Sequence, residues 1–218
     1  MEVLEKTNRV PAETDVVDIG AGMGALSRRL SDKGYRVRAC ELFPEYFRVP
    51  EVECRKVEAD GNLPFEDASI DVAFAVELVE HIETHKKLFN ETARILKPGG
   101  EMIITTPNVL SFKSRIKFLF TGYLYSFPPL EPDVLDPVRQ HITPLTLDMY
   151  RWRLAQSGFE IVGVDIDKVQ GTSLGYSFLL PIVWLATWRA SRRAPNVTAQ
   201  NQFRMLFGRT MILTARRL

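Results

Sequence analysis

Residues 16–24 read VVDIGAGMG: two valines, an aspartate and an isoleucine, then glycines at alternate positions, Gly20, Gly22 and Gly24. β-Branched residues favour extended backbone. Glycines lack the Cβ that blocks positive φ and keeps backbone away from a bound molecule. Residues 15–19 are therefore expected as a strand running into a tight turn. Residues 25–33, apolar at helical spacing until Gly34, are the helix that follows.

Strand and helix signals keep alternating outward from this turn. Residues 35–40 alternate in polarity, 52–57 form another short strand candidate, and 70–76 are almost wholly apolar, as in a central strand buried on both faces. Residues 85–96 have amphipathic helical spacing closed by Lys97-Pro98-Gly99-Gly100, with a strand expected over 101–105. A helix over 146–157, a strand over 159–166 and a last strand over 210–215 bring the count to about seven. The order predicts an α/β fold with a mostly parallel sheet covered by helices on both faces. At 218 residues and 45% hydrophobic content the chain suits one domain, 1–218, with insertions at 107–144 and 169–208 that do not fit the alternation.

Composition narrows the function classes. A formal charge of +1 lacks the electrostatic footprint of a nucleic-acid binder, so none is expected as partner. The two cysteines, Cys40 and Cys54, have neither the spacing nor the company of a zinc site and read as free thiols. The charged first ten residues differ from a secretory signal, and the expected location is cytoplasmic.

The glycine turn is G-x-G-x-G, whereas a dinucleotide fingerprint is G-x-G-x-x-G with a pyrophosphate on the helix N-terminus. Asp18, just before the glycines, would repel phosphate there but suits a cationic ligand. Glu41 ends the second strand, where a carboxylate can accept both hydroxyls of a ribose. Asp60 follows the third strand and can take the exocyclic amine of an adenine, with Gly61 admitting the ring. Three acids at three successive strand ends face one crevice. S-adenosylmethionine, carrying an ammonium and a sulfonium, fits that charge.

The chain resembles the class I S-adenosylmethionine-dependent methyltransferases through VVDIGAGMG, Glu41, EADG at 58–61 and LKPGGEMIITTPN at 96–108, a likeness strongest in the first half. The resemblance implies a Rossmann-like seven-stranded sheet with the last strand antiparallel. It also implies that Gly20 and Gly22 surround the methionine part of the cofactor, Glu41 the ribose and Asp60 the adenine. Asp18, Gly61 and Glu77 complete the expected cofactor-binding set.

Chemistry is expected at the carboxyl edge of the sheet, where the fourth strand runs into Glu77-Leu78-Val79-Glu80-His81. Methyl transfer is an in-line displacement that depends on alignment, with a base needed only if the acceptor loses a proton. His81 and His141 are the candidate catalytic bases. The stretch is similar to the E-x-x-E-H segment of ubiquinone-biosynthesis O-methyltransferases, which implies Glu77, Glu80 and His81 as a metal option, although many relatives need no metal and none is expected here. The bland alternatives are a helix-start role for His81, a solvated Glu80, and a His141 turn in which Thr143 caps the next helix with Pro144 at its first position.

Residues 107–144, rich in aromatic residues with Lys113, Arg115 and Lys117 between them, read as an acceptor lid. In 169–208, no charge occurs between Lys168 and Arg189, and Trp184 and Trp188 lead into Arg189, Arg192 and Arg193. Pro181 and scattered polar residues argue against a spanning helix. Two readings stay open for 174–193: peripheral contact with the inner face of a membrane, or a dimer or core helix. The function expected is methyl transfer, at oxygen, to a small-molecule or lipid-linked acceptor. A non-catalytic cofactor-binding relative and an RNA methyltransferase are its rivals, the latter lacking the Asn/Asp-Pro-Pro-Tyr/Phe stretch after the fourth strand.

Overall fold

The structure, a computed structural model, describes residues 9–57, 61–134, 139–194 and 197–218. Seven strands, β1 (Asp15–Ile19), β2 (Arg36–Glu41), β3 (Glu53–Lys56), β4 (Ile70–Val76), β5 (Leu96–Pro107), β6 (Phe159–Ile166) and β7 (Thr210–Arg217), form one sheet in the order β3-β2-β1-β4-β5-β7-β6. Strands β1 to β5 pair in parallel, while β7 runs antiparallel to both β5 and β6. The expected Rossmann-like sheet with an antiparallel last strand is present. Its last strand does not lie at the edge but fills the slot between β5 and β6.

The longer helices are α1 (Ala25–Asp32), α2 (His85–Ile95), α3 (Phe112–Thr121) and α4 (Leu147–Ala155). The segment before β7 holds the one-turn α5 (Gly171–Leu174), then α6 (Leu180–Ser191) and the short α7 (Val197–Gln200) and α8 (Phe203–Phe207). Period-two alternation splits β1. Val16 packs with Val72, Phe74, Ile103 and Leu30 of α1, whereas Val17 and Ile19 join Ala73, Ala75, Met102 and Ile104 against Leu88 and Phe89 of α2 and Tyr150 and Leu154 of α4. The central β4 is buried on both faces, as its apolar run predicts.

Among the element bounds that differ from expectation, two have an identifiable cause. Strand β5 begins at Leu96 rather than 101, because Leu96 already pairs with Ile70. The Lys97–Gly100 residues bulge before Glu101 resumes the ladder opposite Val72, and Gly99 takes φ 74° to do so. Thr146 is the cap of α4 and not its first residue, its hydroxyl accepting from Met149 N–H. Among the described residues no helix is long and apolar enough to cross a membrane. Both cysteines are free thiols. Burial pushes the Cys40 thiol up, and Cys54 up to about 11, so neither is a nucleophile at neutral pH.

Asn108 ties the segment before β7 to the sheet. Its buried amide donates to the carbonyls of Met205 (2.8 Å) and Gly208 (3.0 Å), and its Oδ1 accepts from Leu110 N–H (3.0 Å). Asn108→Ala strands two carbonyls and an N–H in a dry site. We expect it to lower unfolding free energy by about 2–4 kcal/mol, read from urea denaturation.

Candidate active site at the carboxyl edge of the sheet

The sheet order reverses between β1 and β4, and crevices for ligands open at such switch points. The glycine turn sits there. Gly20, Gly22 and Gly24 have φ of 71°, 52° and 89°. The N–H groups of Gly20 and Ala21 donate to the Cys40 carbonyl at the end of β2 (2.9 and 3.2 Å), fixing the turn against its neighbour strand. A Cβ at Gly20 would lie 2.7 Å from Leu78 Cδ1, and one at Gly24 2.4 Å from Val49 Cγ2. At Gly22 it would meet nothing within 4 Å. Space stands open above Gly22, a cradle of the kind a ligand's chain can occupy.

Asp18 shares its sheet face with α1 and is 2% exposed. Its Oδ2 accepts from both Ser27 N–H (3.1 Å) and Ser27 Oγ (2.7 Å), so it satisfies an orphan donor in the first turn of α1. Burial raises its pKa to about 6 against the lowering effect of these bonds, with Glu41 nearby adding to the rise. Its influence on a ligand thus passes through the position of the turn. Glu41 is aimed at the turn: Oε2 accepts from Gly22 N–H at 2.7 Å and Oε1 from Leu42 N–H at 2.7 Å. Gly61, at φ 76°, faces the Lys87 stem. Asp60, expected to meet the adenine, lies outside the described residues.

Beyond β4, Glu77 takes φ 49°, a left-handed conformation that costs a non-glycine residue roughly 1–2 kcal/mol. Thr105 of β5 holds it. Glu77 N–H donates to the Thr105 carbonyl (3.0 Å) and to its hydroxyl (3.1 Å), and that hydroxyl donates to Glu77 Oε1 at 3.1 Å. The turn sets Leu78 on Gly20 and starts a 3-10 turn, Val79–His81, that drives Glu80 inward.

Glu80 is 0% exposed, and neither carboxylate oxygen makes a hydrogen bond of acceptable geometry. Burial, and then the charge of Glu77, push its pKa up to about 7. Its backbone carbonyl accepts from the N–H groups of Ile142 (2.8 Å) and Thr143 (3.1 Å), and Thr143 Oγ1 donates to the Ile82 carbonyl at 2.8 Å. Thr143 therefore anchors the loop to the 3-10 turn and does not cap α4, which corrects the alternative reading of that turn.

That anchoring brings the two histidines together, ring centroids 4.7 Å apart and planes at 81°. His81 Nδ1 lies 3.0 Å from the Gln140 carbonyl and His141 Nδ1 2.7 Å from the Ser126 carbonyl. A carbonyl only accepts, so each Nδ1 carries the proton and Nε2 is the basic nitrogen. Ligand atoms of Glu80, His81 and His141 lie within 4.8 Å of one another. His141, not Glu77, thus completes the set of possible metal ligands with Glu80 and His81.

A cavity of about 610 Å³ opens beside this cluster, lined by Glu77, Thr105, Tyr125, Ser126 and His141, with the Asp167–Arg209 ion pair (2.7 Å) on its far wall. A larger one of about 730 Å³ lies at Gly99, Glu101 and Arg216, at the opposite end of β5 from the glycine turn. Its charges are already engaged, Glu101 pairing with Arg216 at 3.0 Å and Arg9 at 3.6 Å. The smaller cavity is the one at the carboxyl edge of the sheet, beside the histidine pair. Sequence reasoning assigned no role to Thr105, although it lies in the quoted 96–108 stretch, and missed Asp167 and Arg209, which carry no local motif and meet only through the pairing of β7 with β5 and β6. The third histidine, His85, is structural: Nε2–H donates to the Val79 carbonyl (2.9 Å), Arg153 donates to Nδ1 (2.6 Å), and burial lowers its pKa to about 4.

Glu80 binds its proton more tightly in the folded than in the unfolded chain, so its contribution is full below pH 4.5 and declines as pH rises through about 7. Glu80→Gln should remove that decline, gaining on the order of 2 kcal/mol at pH 8 relative to pH 5, visible as a flatter melting temperature against pH. Among glycine-to-alanine variants, Gly24→Ala and Gly20→Ala should lower the melting temperature more than Gly22→Ala, whose cost is backbone strain alone, about 1–2 kcal/mol.

Residues 17–104 match the family described as Methyltransferase domain. Over 101 residues the chain is 29% identical to demethylmenaquinone methyltransferase of Tropheryma whipplei (strain Twist), covering 44% of this chain and 42% of that protein. Over 107 residues it is 31% identical to ubiquinone biosynthesis O-methyltransferase of Xanthomonas axonopodis pv. citri, covering 45% of each. The chain thus matches less than half the length of these curated relatives. The structure superposes with a TM-score of 0.64 on an S-adenosylmethionine-dependent methyltransferase from Archaeoglobus fulgidus, at 18% identity and covering 99% of this chain and 91% of that one. By fold the chain matches S-adenosylmethionine-dependent methyltransferases, and its residues 17–104 are similar in sequence to a methyltransferase domain.

Proposed function

We propose that the protein transfers a methyl group from S-adenosylmethionine to a hydroxyl oxygen of a small, largely apolar acceptor, of the lipid-linked quinone or phenol type. The observation that carries this reading is the His81–His141 pair beside the cavity, each imidazole oriented by a backbone carbonyl with its basic nitrogen at Nε2. The names of the quinone-pathway relatives support the acceptor class.

S-adenosylmethionine, when bound, supplies an electrophilic methyl on a sulfonium that leaves as a neutral thioether. The chain's residues fit it. Gly20 and Gly22 admit its methionine portion over the open cradle, and Glu41 is placed to accept the ribose hydroxyls. Gly61 and, by resemblance, Asp60 border the adenine. Glu77 sits between this crevice and the cavity, where its charge favours a cationic ligand. His141, which lines the cavity, takes the acceptor's proton on Nε2 as the oxygen–carbon bond forms. The Ser126 carbonyl holds its ring in that tautomer. Of the aromatic insertion, Tyr125 reaches the cavity and lines it with His141.

His141→Ala should lower kcat roughly 10²- to 10⁴-fold while leaving the cofactor's dissociation constant unchanged. The assay follows labelled methyl transfer to an isoprenyl-substituted catechol, with calorimetric titration of S-adenosylmethionine alongside. No heat with the cofactor would refute the enzyme reading, and unaltered turnover in His141→Ala would refute the base. A second reading is favoured by the unpartnered oxygens of Glu80: with His81 and His141 it holds a divalent cation that acidifies the acceptor hydroxyl. Loss of turnover in EDTA and its return with magnesium would select that reading over direct proton removal.

A further inference from the structure

Helix α6 buries none of its residues, although no charge occurs in its first nine. Only a narrow row, including Val183, Thr187 and Ser191, turns toward protein. Val183 packs on the small core of Phe112, Leu206 and Phe207, and Thr187 accepts from Asn201 Nδ2 at 2.9 Å. The remainder faces outward, with Ile182 65%, Trp184 61%, Leu185 58% and Trp188 55% exposed, and Phe178 just before the helix 71%. Helix α3 shares the same small core through Phe112 and ends in Phe118, Leu119 and Phe120, the last 78% exposed. Two helices that pack on one small core thus each expose an apolar face of the kind that monomeric soluble proteins rarely leave open.

Charge says what covers it. From residue 168 to 218 the chain has eight lysines and arginines and no acid, while the preceding 167 residues have twenty basic and twenty-seven acidic ones. Arg189, Arg192 and Arg193 follow the tryptophans directly, and the Arg192 guanidinium stacks 4.2 Å from the Trp188 ring. On α3 the Lys113 ammonium lies 3.7 Å over Tyr125. Aromatic rings bearing cations at the margin of an apolar face match the boundary between acyl chains and anionic headgroups. A second copy matches it less well, since the whole segment 168–218 carries no acid to pair with a partner copy's arginines.

We propose that the outer faces of α6 and α3 dock on an anionic bilayer surface, with α6 lying in the interface. The lid that begins at α3 continues to Tyr125, whose N–H donates to Ser114 Oγ (3.1 Å), and to Ser126, whose carbonyl orients His141. Docking therefore brings lipid to the segment whose Tyr125 and Ser126 border the acceptor cavity. This builds on the apolar-acceptor reading above but is measured without turnover.

The test is vesicle flotation, with phosphatidylcholine alone and with roughly 30 mol% phosphatidylglycerol, at about 0.1 M and 1 M salt. Expected are binding to the anionic vesicles at low salt and a blue shift of tryptophan emission in a Trp152→Phe background. A triple Arg189→Gln/Arg192→Gln/Arg193→Gln variant should bind anionic vesicles roughly a hundredfold more weakly. Ile182→Asp/Leu185→Asp should abolish binding at either salt, and both variants should retain calorimetric binding of S-adenosylmethionine as proof of folding. Absence of binding to anionic vesicles, or binding that neither variant weakens, overturns the proposal. So does a dimer in light scattering that Ile182→Asp/Leu185→Asp splits while no vesicle binding is seen. Failure of the methyltransferase reading would show separately, as loss of cofactor heat with vesicle binding intact.

Discussion

The buried carboxylate of Asp18 accepts both the backbone N–H and the hydroxyl of Ser27, and the geometry of the crevice follows from that pair of bonds. It locks the end of β1 to the first turn of α1 across the glycine turn. The intervening residues must therefore reverse direction within a few peptide units, which requires positive φ at Gly20, Gly22 and Gly24. The carbonyl of Cys40 receives the turn from the β2 side, and Leu78 closes it from the β4 side. What remains open is the space above Gly22, at the one point where β1 and β4 diverge.

The same strand end governs the chemistry. After β4 the chain accepts strain at Glu77, held by Thr105, and the 3-10 turn that results buries Glu80 without hydrogen-bond partners for its carboxylate. An ionised carboxylate in that position is expensive, which is why its proton is held up to about neutral pH. The Glu80 carbonyl, by contrast, accepts twice and so captures the loop that delivers His141. One turn thus positions an acid, an imidazole and, through its main chain, a second imidazole.

Much of the cofactor half was legible because its signals are local. The apolar run of β4, the alternation in β2 and the glycine spacing each depend on neighbouring residues, and strand limits were met within a few positions. The exception was β5, whose start at Leu96 depends on pairing with Ile70 and not on the Pro-Gly-Gly sequence beside it. The cluster at the acceptor side was half legible. Glu80 and His81 stand together in the chain, but His141 joins them through bonds from Ile142 and Thr143 to the Glu80 carbonyl, and no periodicity encodes such a bond.

By itself, then, the sequence determined the α/β alternation, the turn between β1 and α1 and the acid at the end of β2, because propensity, pattern and glycine chemistry act over a few residues. Only the tertiary structure decided that β7 fills the slot between β5 and β6, that Asn108 meets Gly208 100 residues on, and that Asp167 and Arg209 wall the cavity. It also decided that α6, apolar enough to belong in a core, keeps most of its surface outside. These are outcomes of non-local pairing, in which the energy of a contact is set by whichever distant partner the fold supplies, and the chain's local pattern is nearly silent about that choice.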